Sequence, residues 1–88
     1  MSLQVKGTIK TIADIQTFDS GFRKQEFVIE TTEDKFPQLV KFEIIKDNIE
    51  KFDPFLIEGG IVNVHFNIRS NEYNGKVYNS LQCWKLEN

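Results

Sequence analysis

The chain has 88 residues, which suits one domain over residues 1–88, and its 40% hydrophobic and 27% charged residues are typical of a folded globular protein. It contains a single cysteine, Cys83, and a single histidine, His65, so an intrachain disulfide and a Cys/His metal cluster are excluded. We therefore expect no metal and no other cofactor.

The net charge of −2 is unevenly distributed. The segment 47–60 holds four acidic residues and one lysine, so the remainder of the chain sums to +1. This distribution permits a polyanionic partner without requiring one. The first six residues lack the apolar stretch of a secretory signal, and no apolar run approaches the ~20 residues needed to cross a bilayer, so we expect a cytoplasmic location.

The first predicted strand covers residues 3–15. Apolar and polar side chains alternate over 3–9 and then slip in phase, which predicts a bulge or bend near Lys10-Thr11. Gly7 is a second position at which the strand can bend or approach another backbone closely.

Two further strands follow in the first half of the chain. Residues 16–21 have the composition of a turn, 22–32 form the second strand, 33–37 form a loop and 38–46 form the third strand. The side chains expected to point inward are Phe27, Ile29, Val40, Phe42 and Ile44.

The segment 47–60 differs from the strands around it. Asp47 followed by Glu50 resembles a helix capping box, and Pro54 suits the first helical position after a cap at Asp53. We expect one or two short helical turns, ended by a pair of glycines.

The fourth strand shows the clearest alternation, with polar residues, His65 among them, between the apolar ones. We expect His65 on the surface and Cys83 in the core. Asn74-Gly75 predicts a tight hairpin, because both central residues of a type I′ turn need positive φ, and residues 76–87 form the fifth strand. The apolar positions of the fourth strand are Val62, Val64, Phe66 and Ile68.

The order of these elements predicts an all-β protein. Three strands, a short helical connector and two more strands match the five-stranded OB-fold barrel, in which a helical connector lies between strands 3 and 4. The SH3-like barrel has no place for so long a helical connector before its fourth strand.

Several short motifs also carry a family resemblance. They are the octapeptide at 24–31, Phe42-Glu43-Ile44, the segment 72–76 around Asn74-Gly75, and Trp84-Lys85. Taken in this order, they resemble a family of short bacterial OB-fold proteins of unassigned function, similar to single-stranded DNA-binding proteins and primosomal replication protein B. The resemblance covers residues 3–87.

The resemblance implies a sequence-tolerant protein that binds single-stranded nucleic acid, DNA or RNA, in replication, recombination or repair. Related small binders act as dimers or tetramers, so a homo-oligomer is expected. The alternative is a protein-interaction or assembly module on the same barrel, without nucleic-acid binding. Catalysis is not expected, because no Gly-rich phosphate loop and no activated nucleophile is present.

Single-strand binders combine cationic side chains for the phosphates with aromatic faces on which the bases stack. Instead of binding phosphates, the cationic side chains can lie on solvated strand faces or form cross-strand ion pairs. Instead of stacking on a base, Trp84 can pack over the end of the barrel or in a subunit interface. The candidates for phosphate contacts are Arg23, Lys24, Lys41, Arg69 and Lys76. The candidates for stacking are Phe18, Phe22, Tyr73, Tyr78 and Trp84.

Overall fold

The computed structural model describes residues 3–32 and 35–87, so part of the expected loop at 33–37 lies outside the described residues. The elements in chain order are β1 (Leu3–Ile12), β2 (Gln16–Thr17), β3 (Arg23–Thr31), β4 (Leu39–Ile45), α1 (Asn48–Phe52), a 3₁₀ turn (Asp53–Phe55), β5 (Ile61–Tyr73) and β6 (Lys76–Glu87). Within these ranges no helix is long and apolar enough to span a membrane.

Five of the described strands close into a ring. The sheet order is β1-β5-β6-β4-β3-β2, and β1 also pairs with β3, so only the two-residue β2 stays outside the ring. Neighbouring strands are antiparallel except at the junction of β4 and β6, where Glu43 pairs with Gln82 in parallel. The expected all-β ring with a helical connector before the last hairpin is confirmed, and β2 is an addition within the segment expected to be a turn.

Strand β1 belongs to both sides of the ring because it bends. Its first half pairs with β5 and its second half with β3, and the register with β3 shifts between Ile9 and Thr11, which confirms the expected bulge. Gly7 lies where the two pairings overlap. A Cβ atom at Gly7 would lie 2.5 Å from the carbonyl oxygen of Glu30, so the close approach of β1 to β3 requires glycine here.

Alternating apolar side chains fill the ring. The inward residues expected on β3 and β4 are buried, apart from half-buried Val40, and Ile49 and Phe52 of α1 cover one end of the core. Burying each such side chain contributes about 1.5–3 kcal/mol. The core also holds the Cys83 thiol, and burial raises its pKa to about 12, so this thiol stays protonated at neutral pH.

The helical connector forms where expected, but without the expected capping box. Asp47 already has helical backbone angles and its side chain makes no capping hydrogen bond. Glu50 instead accepts hydrogen bonds from the Arg23 guanidinium, a charge-assisted partner stronger than a backbone N–H. The 3₁₀ turn starts at Asp53, one residue earlier than expected, with Pro54 in its first turn.

Strands β5 and β6 form a hairpin longer than the barrel wall. Asn74 and Gly75 have φ of 52° and 76°, which confirms the tight turn with two positive-φ residues. Val62 and Val64 are buried as expected, but Ile68 is 58% exposed, which corrects its placement in the core. Past Phe66 the inward-facing side chains have no opposing barrel wall, because the hairpin projects from the barrel.

A bulge in β6 corrects two further expectations. His65 pairs with Lys85 while Phe66 pairs with Cys83, so Trp84 is the extra residue between the two pairs. Strict alternation along β6 would place Leu86 on the same outward side as Trp84, but the bulge reverses the alternation, so Leu86 is buried while Trp84 is 40% exposed. His65 is 8% exposed rather than on the surface, with the Trp84 ring centroid 5.4 Å away.

Candidate nucleic-acid interface

One face of the projecting hairpin collects four of the ten candidate residues. Tyr73 lies directly opposite Lys76 across the turn, Tyr78 lies opposite Asn71, and Arg69 precedes them on the same side of β5. Facing positions of an antiparallel pair share one side of the sheet, as do alternate positions of each strand. We call this side the hairpin face. It consists of Asn67, Arg69, Asn71, Tyr73, Lys76, Tyr78, Ser80 and Gln82.

The hairpin face is cationic and aromatic and carries no acidic residue. Tyr73 is 67% exposed and Tyr78 is 54% exposed, so both phenol rings are accessible to a planar ligand. Arg69 donates a hydrogen bond from Nε to Oε1 of Gln82 at 3.0 Å, which holds its guanidinium along the surface. Its remaining guanidinium N–H groups are donors of the kind that bind phosphate oxygens.

The opposite side of the same hairpin mixes aliphatic and polar residues. Ile68 and Val77 are exposed there and Leu81 is half-buried. Ile68 lies opposite Leu81, the polar pair Ser70 and Asn79 comes next, and Glu72 lies opposite Val77 near the turn. The two sides of the hairpin differ in chemistry, because exposed aliphatic side chains and an acidic residue occur only on this one.

The outward side of β3 and β4 is electrostatically balanced. Lys24 Nζ lies 3.2 Å from the Glu43 carboxylate, and Lys41 Nζ lies 3.5 Å from that of Glu26. Glu26 and Glu43 face each other directly, so the two lysines separate like charges that would otherwise repel. A ligand phosphate would have to compete with these carboxylates for Lys24 and Lys41.

Arg23 connects β3 to α1. Its guanidinium binds both carboxylate oxygens of Glu50, with Nη2 at 3.0 Å from Oε2, and Nη2 lies 3.8 Å from Asp47. The hydrogen bonding that Arg23 donates to the Glu50 carboxylate raises the pKa of Arg23 and lowers the pKa of Glu50. Arg23 is therefore engaged within the molecule.

Phe18 and Phe22 contact each other in the loop before β3. Their ring centroids are 5.8 Å apart, and two hydrogen bonds close the turn between them, from Phe18 N to Phe22 O and from Gly21 N to Phe18 O, both 2.8 Å. Phe18 is exposed and Phe22 is half-buried. The pair folds the loop on itself and still presents one face of Phe18 to solvent.

Trp84 lies just beyond Gln82, at the end of the hairpin face away from the turn. It is eight positions after Lys76 along β6, roughly 26 Å in an extended strand, so it is remote from the two tyrosines. It contacts His65 and lines a cavity with residues of α1. The structure thus unites Arg69, Tyr73, Lys76 and Tyr78 and leaves the other six candidates elsewhere.

The polar partners on the hairpin face were missed by reasoning from single residues. Asn71, Ser80 and Gln82 are uncharged and looked like ordinary strand positions. They could have been found from the two strands taken together. With Asn74-Gly75 as the turn, the register of the hairpin and the alternation along each strand place them on the same side as the tyrosines and cations.

The fold is one shared by solved single-stranded DNA-binding proteins. The mitochondrial single-stranded DNA-binding protein of Saccharomyces cerevisiae aligns with 99% of this chain and 92% of its own, with a TM-score of 0.79 and 12% identity. An SSB domain from Synechococcus aligns over 99% and 93%, with a TM-score of 0.76 and 11% identity. The N-terminal domain of PriB from Thermoanaerobacter tencongensis, described as dimeric, aligns over 98% and 92%, with a TM-score of 0.70 and 17% identity.

Sequence comparison identifies the family. The chain belongs to DUF3127, a domain family of unknown function, whose model matches residues 4–87. No curated protein matches the sequence significantly. The resemblance inferred from the motifs, to a family of unassigned function akin to SSB and PriB, is therefore confirmed.

Proposed function

We propose that this chain binds single-stranded nucleic acid, DNA in the first instance, without catalysis and with little sequence preference. The observation that carries the proposal is the hairpin face, where Tyr73 and Tyr78 lie beside Arg69 and Lys76 with no acidic residue among them. The tyrosines stack on bases, which all have a π-face, and the cations contact phosphates. The fold shared with single-stranded DNA-binding proteins supports this assignment and a role in replication, recombination or repair.

The test is fluorescence anisotropy with labelled oligo-dT at low salt. Tyr73→Ala and Tyr78→Ala should each weaken binding about 5- to 150-fold, since a stacked base contributes about 1–3 kcal/mol. Tyr73→Phe retains the ring and should bind nearly as well as the unmodified chain. Val77→Ala, on the other side of the hairpin, serves as the matched control and should leave affinity unchanged.

We further propose that the chain works as a homo-oligomer, a dimer or a tetramer. One hairpin face per chain offers few contacts, and linking several faces raises the effective concentration of each. The side of the hairpin opposite the hairpin face, with exposed Ile68 and Val77, supports a contact between copies, and the PriB domain of similar fold is described as a dimer. Light scattering should show an assembly that Ile68→Lys dissociates.

A protein-interaction module is the second candidate. It is favoured by the neutral, ion-paired surface of β3 and β4, where Glu43 and Glu26 occupy Lys24 and Lys41. Absence of oligo-dT binding at low salt and micromolar protein would exclude the first proposal in favour of this one. Binding that disappears with Tyr73→Ala would exclude the second.

A further inference from the structure

A cavity lies between the helical connector and the C-terminal end of β6. It has a volume of about 290 Å³. Its position beside Trp84 places it roughly 26 Å along β6 from the hairpin turn, so it lies beyond the Gln82 end of the hairpin face and far from Tyr73 and Lys76. The residues lining it are Lys51, Phe52, Phe55, Trp84, Lys85 and Leu86.

The cavity exists because of the β6 bulge. Trp84, the extra residue, follows buried Cys83 and packs its ring against His65, while the bulge turns Leu86 inward, where it forms the cavity floor with buried Phe52. Half-buried Phe55 of the 3₁₀ turn supplies a second aromatic wall. These walls are apolar, so the cavity suits a hydrophobic side chain of a ligand.

Lys51 and Lys85 give the cavity a positive rim. Both are exposed, and Lys51 Nζ lies 5.8 Å from the centroid of the Phe52 ring that forms the floor. Lys85 Nζ forms a long ion pair with Oε2 of Glu87, at 4.0 Å. Both side chains of this pair are exposed, and ion pairs between exposed side chains are weak, so both ammonium groups are able to turn toward a carboxylate presented at the cavity mouth.

We propose that this cavity binds an acidic peptide segment of a partner protein, anchored by one apolar side chain. The anchor would occupy the space among Phe52, Phe55 and Trp84, and flanking carboxylates would pair with Lys51 and Lys85. Apolar anchoring supplies affinity, and the two lysines at the rim select acidic flanks. This inference stands independently of nucleic-acid binding.

A nucleic-acid strand fits the cavity poorly. Only two cations are present, and the connector around Lys51 carries Asp47, Glu50, Asp53 and Glu58. A chain of phosphates crossing this region would meet those carboxylates, whereas a short peptide contributes a few localised charges that can face the lysines alone. Charge complementarity thus favours a peptide over a polyphosphate.

Trp84 is the only tryptophan in the chain, so its fluorescence reports directly on the cavity. The probe is an acetylated, amidated octapeptide with a central leucine flanked by glutamates, titrated at low salt. We expect a saturable change in Trp84 emission. Replacing the leucine by serine should abolish it, and replacing the glutamates by glutamines should weaken binding about five- to tenfold.

Protein variants test the same contacts. The double variant Lys51→Gln, Lys85→Gln should lose a similar five- to tenfold, whereas Lys6→Gln, Lys10→Gln, with the same change in net charge on β1, should bind the peptide normally. Circular dichroism and thermal unfolding of each variant confirm the fold. Equal peptide affinity for the two double variants, or no saturable emission change at millimolar peptide, would overturn the proposal.

Labelled oligo-dT separates this proposal from the nucleic-acid one. We expect Lys51→Gln, Lys85→Gln to bind oligo-dT normally and Tyr73→Ala to bind the peptide normally. If oligo-dT does not bind while the peptide does, the proposed function fails and the cavity assignment stands. If oligo-dT displaces the peptide and the lysine substitutions weaken its binding, the cavity is a nucleic-acid site and the present proposal is wrong.

Discussion

At the scale of single residues, two positions hold the barrel together by different means. Gly7 permits β1 to contact β3 and β5 at the same place, because a side chain there would collide with the Glu30 carbonyl. Arg23 joins the start of β3 to α1 through Glu50. The role of Gly7 depends on the space between strands, so an added side chain should disturb it. The role of Arg23 depends on charge, so a change of pH should disturb it.

Gly7→Ala should destabilise the protein strongly. The added methyl would lie 2.5 Å from the Glu30 oxygen and 2.9 Å from Cδ1 of Ile29, and relief requires movement of the β3 backbone. We expect a loss of about 1–3 kcal/mol in the free energy of unfolding, measured by urea denaturation. Lys6→Ala, at the exposed neighbouring position, should change it by less than about 0.5 kcal/mol. Equal stability of the two variants would contradict the close approach.

The Arg23–Glu50 pair should stabilise the fold only when Glu50 is ionised. Because the pair holds the pKa of Glu50 below its ordinary value of 4.5, its contribution is complete above pH 4.5 and is lost as pH falls through the lower, folded-state pKa. Glu50→Gln should therefore lower the thermal midpoint at pH 7, and this difference should shrink as pH falls below 4.5 and vanish once the folded-state carboxyl is protonated. Glu58→Gln is the control, and a pH-independent difference for Glu50→Gln would contradict the pairing.

At the scale of elements, the β5–β6 hairpin performs two tasks along its length. Its barrel half supplies core residues such as Val62, Val64 and Cys83, whereas its projecting half has mostly exposed side chains. The projecting half therefore contributes little to stability and carries the hairpin face. The proposed nucleic-acid site and the core should therefore be separable, because they lie on different segments of the same pair of strands.

Shortening the hairpin should test that separation. Deleting residues 70–73 and 76–79 leaves Asn74-Gly75 between Arg69 and Ser80, which already face each other, so register and turn are preserved. We expect the free energy of unfolding to change by less than about 1 kcal/mol, since exposed residues are removed. Oligo-dT affinity should fall at least about 30-fold with the loss of both tyrosines.

The matched control for the shortened hairpin is Ser70→Ala with Asn79→Ala, which alters only the opposite side and should bind oligo-dT normally. A shortened chain that unfolds at a much lower urea concentration would show that the projection supports the barrel. One that binds normally would move the nucleic-acid site away from the hairpin.

At the scale of the whole molecule, the positive charges are divided between surfaces and do not form one large basic patch. The net charge is −2, yet the cations of β3 and β4 are neutralised locally and the hairpin face keeps Arg69 and Lys76 without acidic neighbours on that face. Binding of a polyanion to such a molecule depends on a few phosphate contacts and on stacking. Its salt dependence should accordingly be shallow.

The salt dependence is measured as the slope of the logarithm of the oligo-dT binding constant against the logarithm of the salt concentration. Two phosphate contacts per chain, from Arg69 and Lys76, predict a slope of about −1.4 per bound chain, because each contact to a single strand contributes about −0.7. Arg69→Gln should reduce the magnitude by about 0.7, and Lys41→Gln should leave it unchanged. A slope several times steeper would place the paired lysines of β3 and β4 in the interface.

The sequence by itself determined the local pattern of this protein: which segments form the five strands of the ring, the inward side chains of β3 and β4, the bulge of β1 and the turn at Asn74-Gly75. Alternation and turn chemistry are local properties, so they can be read from neighbouring residues. The same reasoning listed ten candidate site residues and the family resemblance, without a way to rank the ten.

Only the tertiary structure decided which of those residues share a surface. Arg23, Lys24 and Lys41 are paired because Glu50, Glu43 and Glu26 come from other elements, and no local pattern specifies such partners. The β6 bulge turned Leu86 into the core, because one unpaired residue reverses every later side chain of its strand, and it left Trp84 packed against His65 of the neighbouring strand. The ion-pair partner of a side chain and the direction in which it points thus depend on how the strands pair across the barrel, and this pairing exists only in the folded ring.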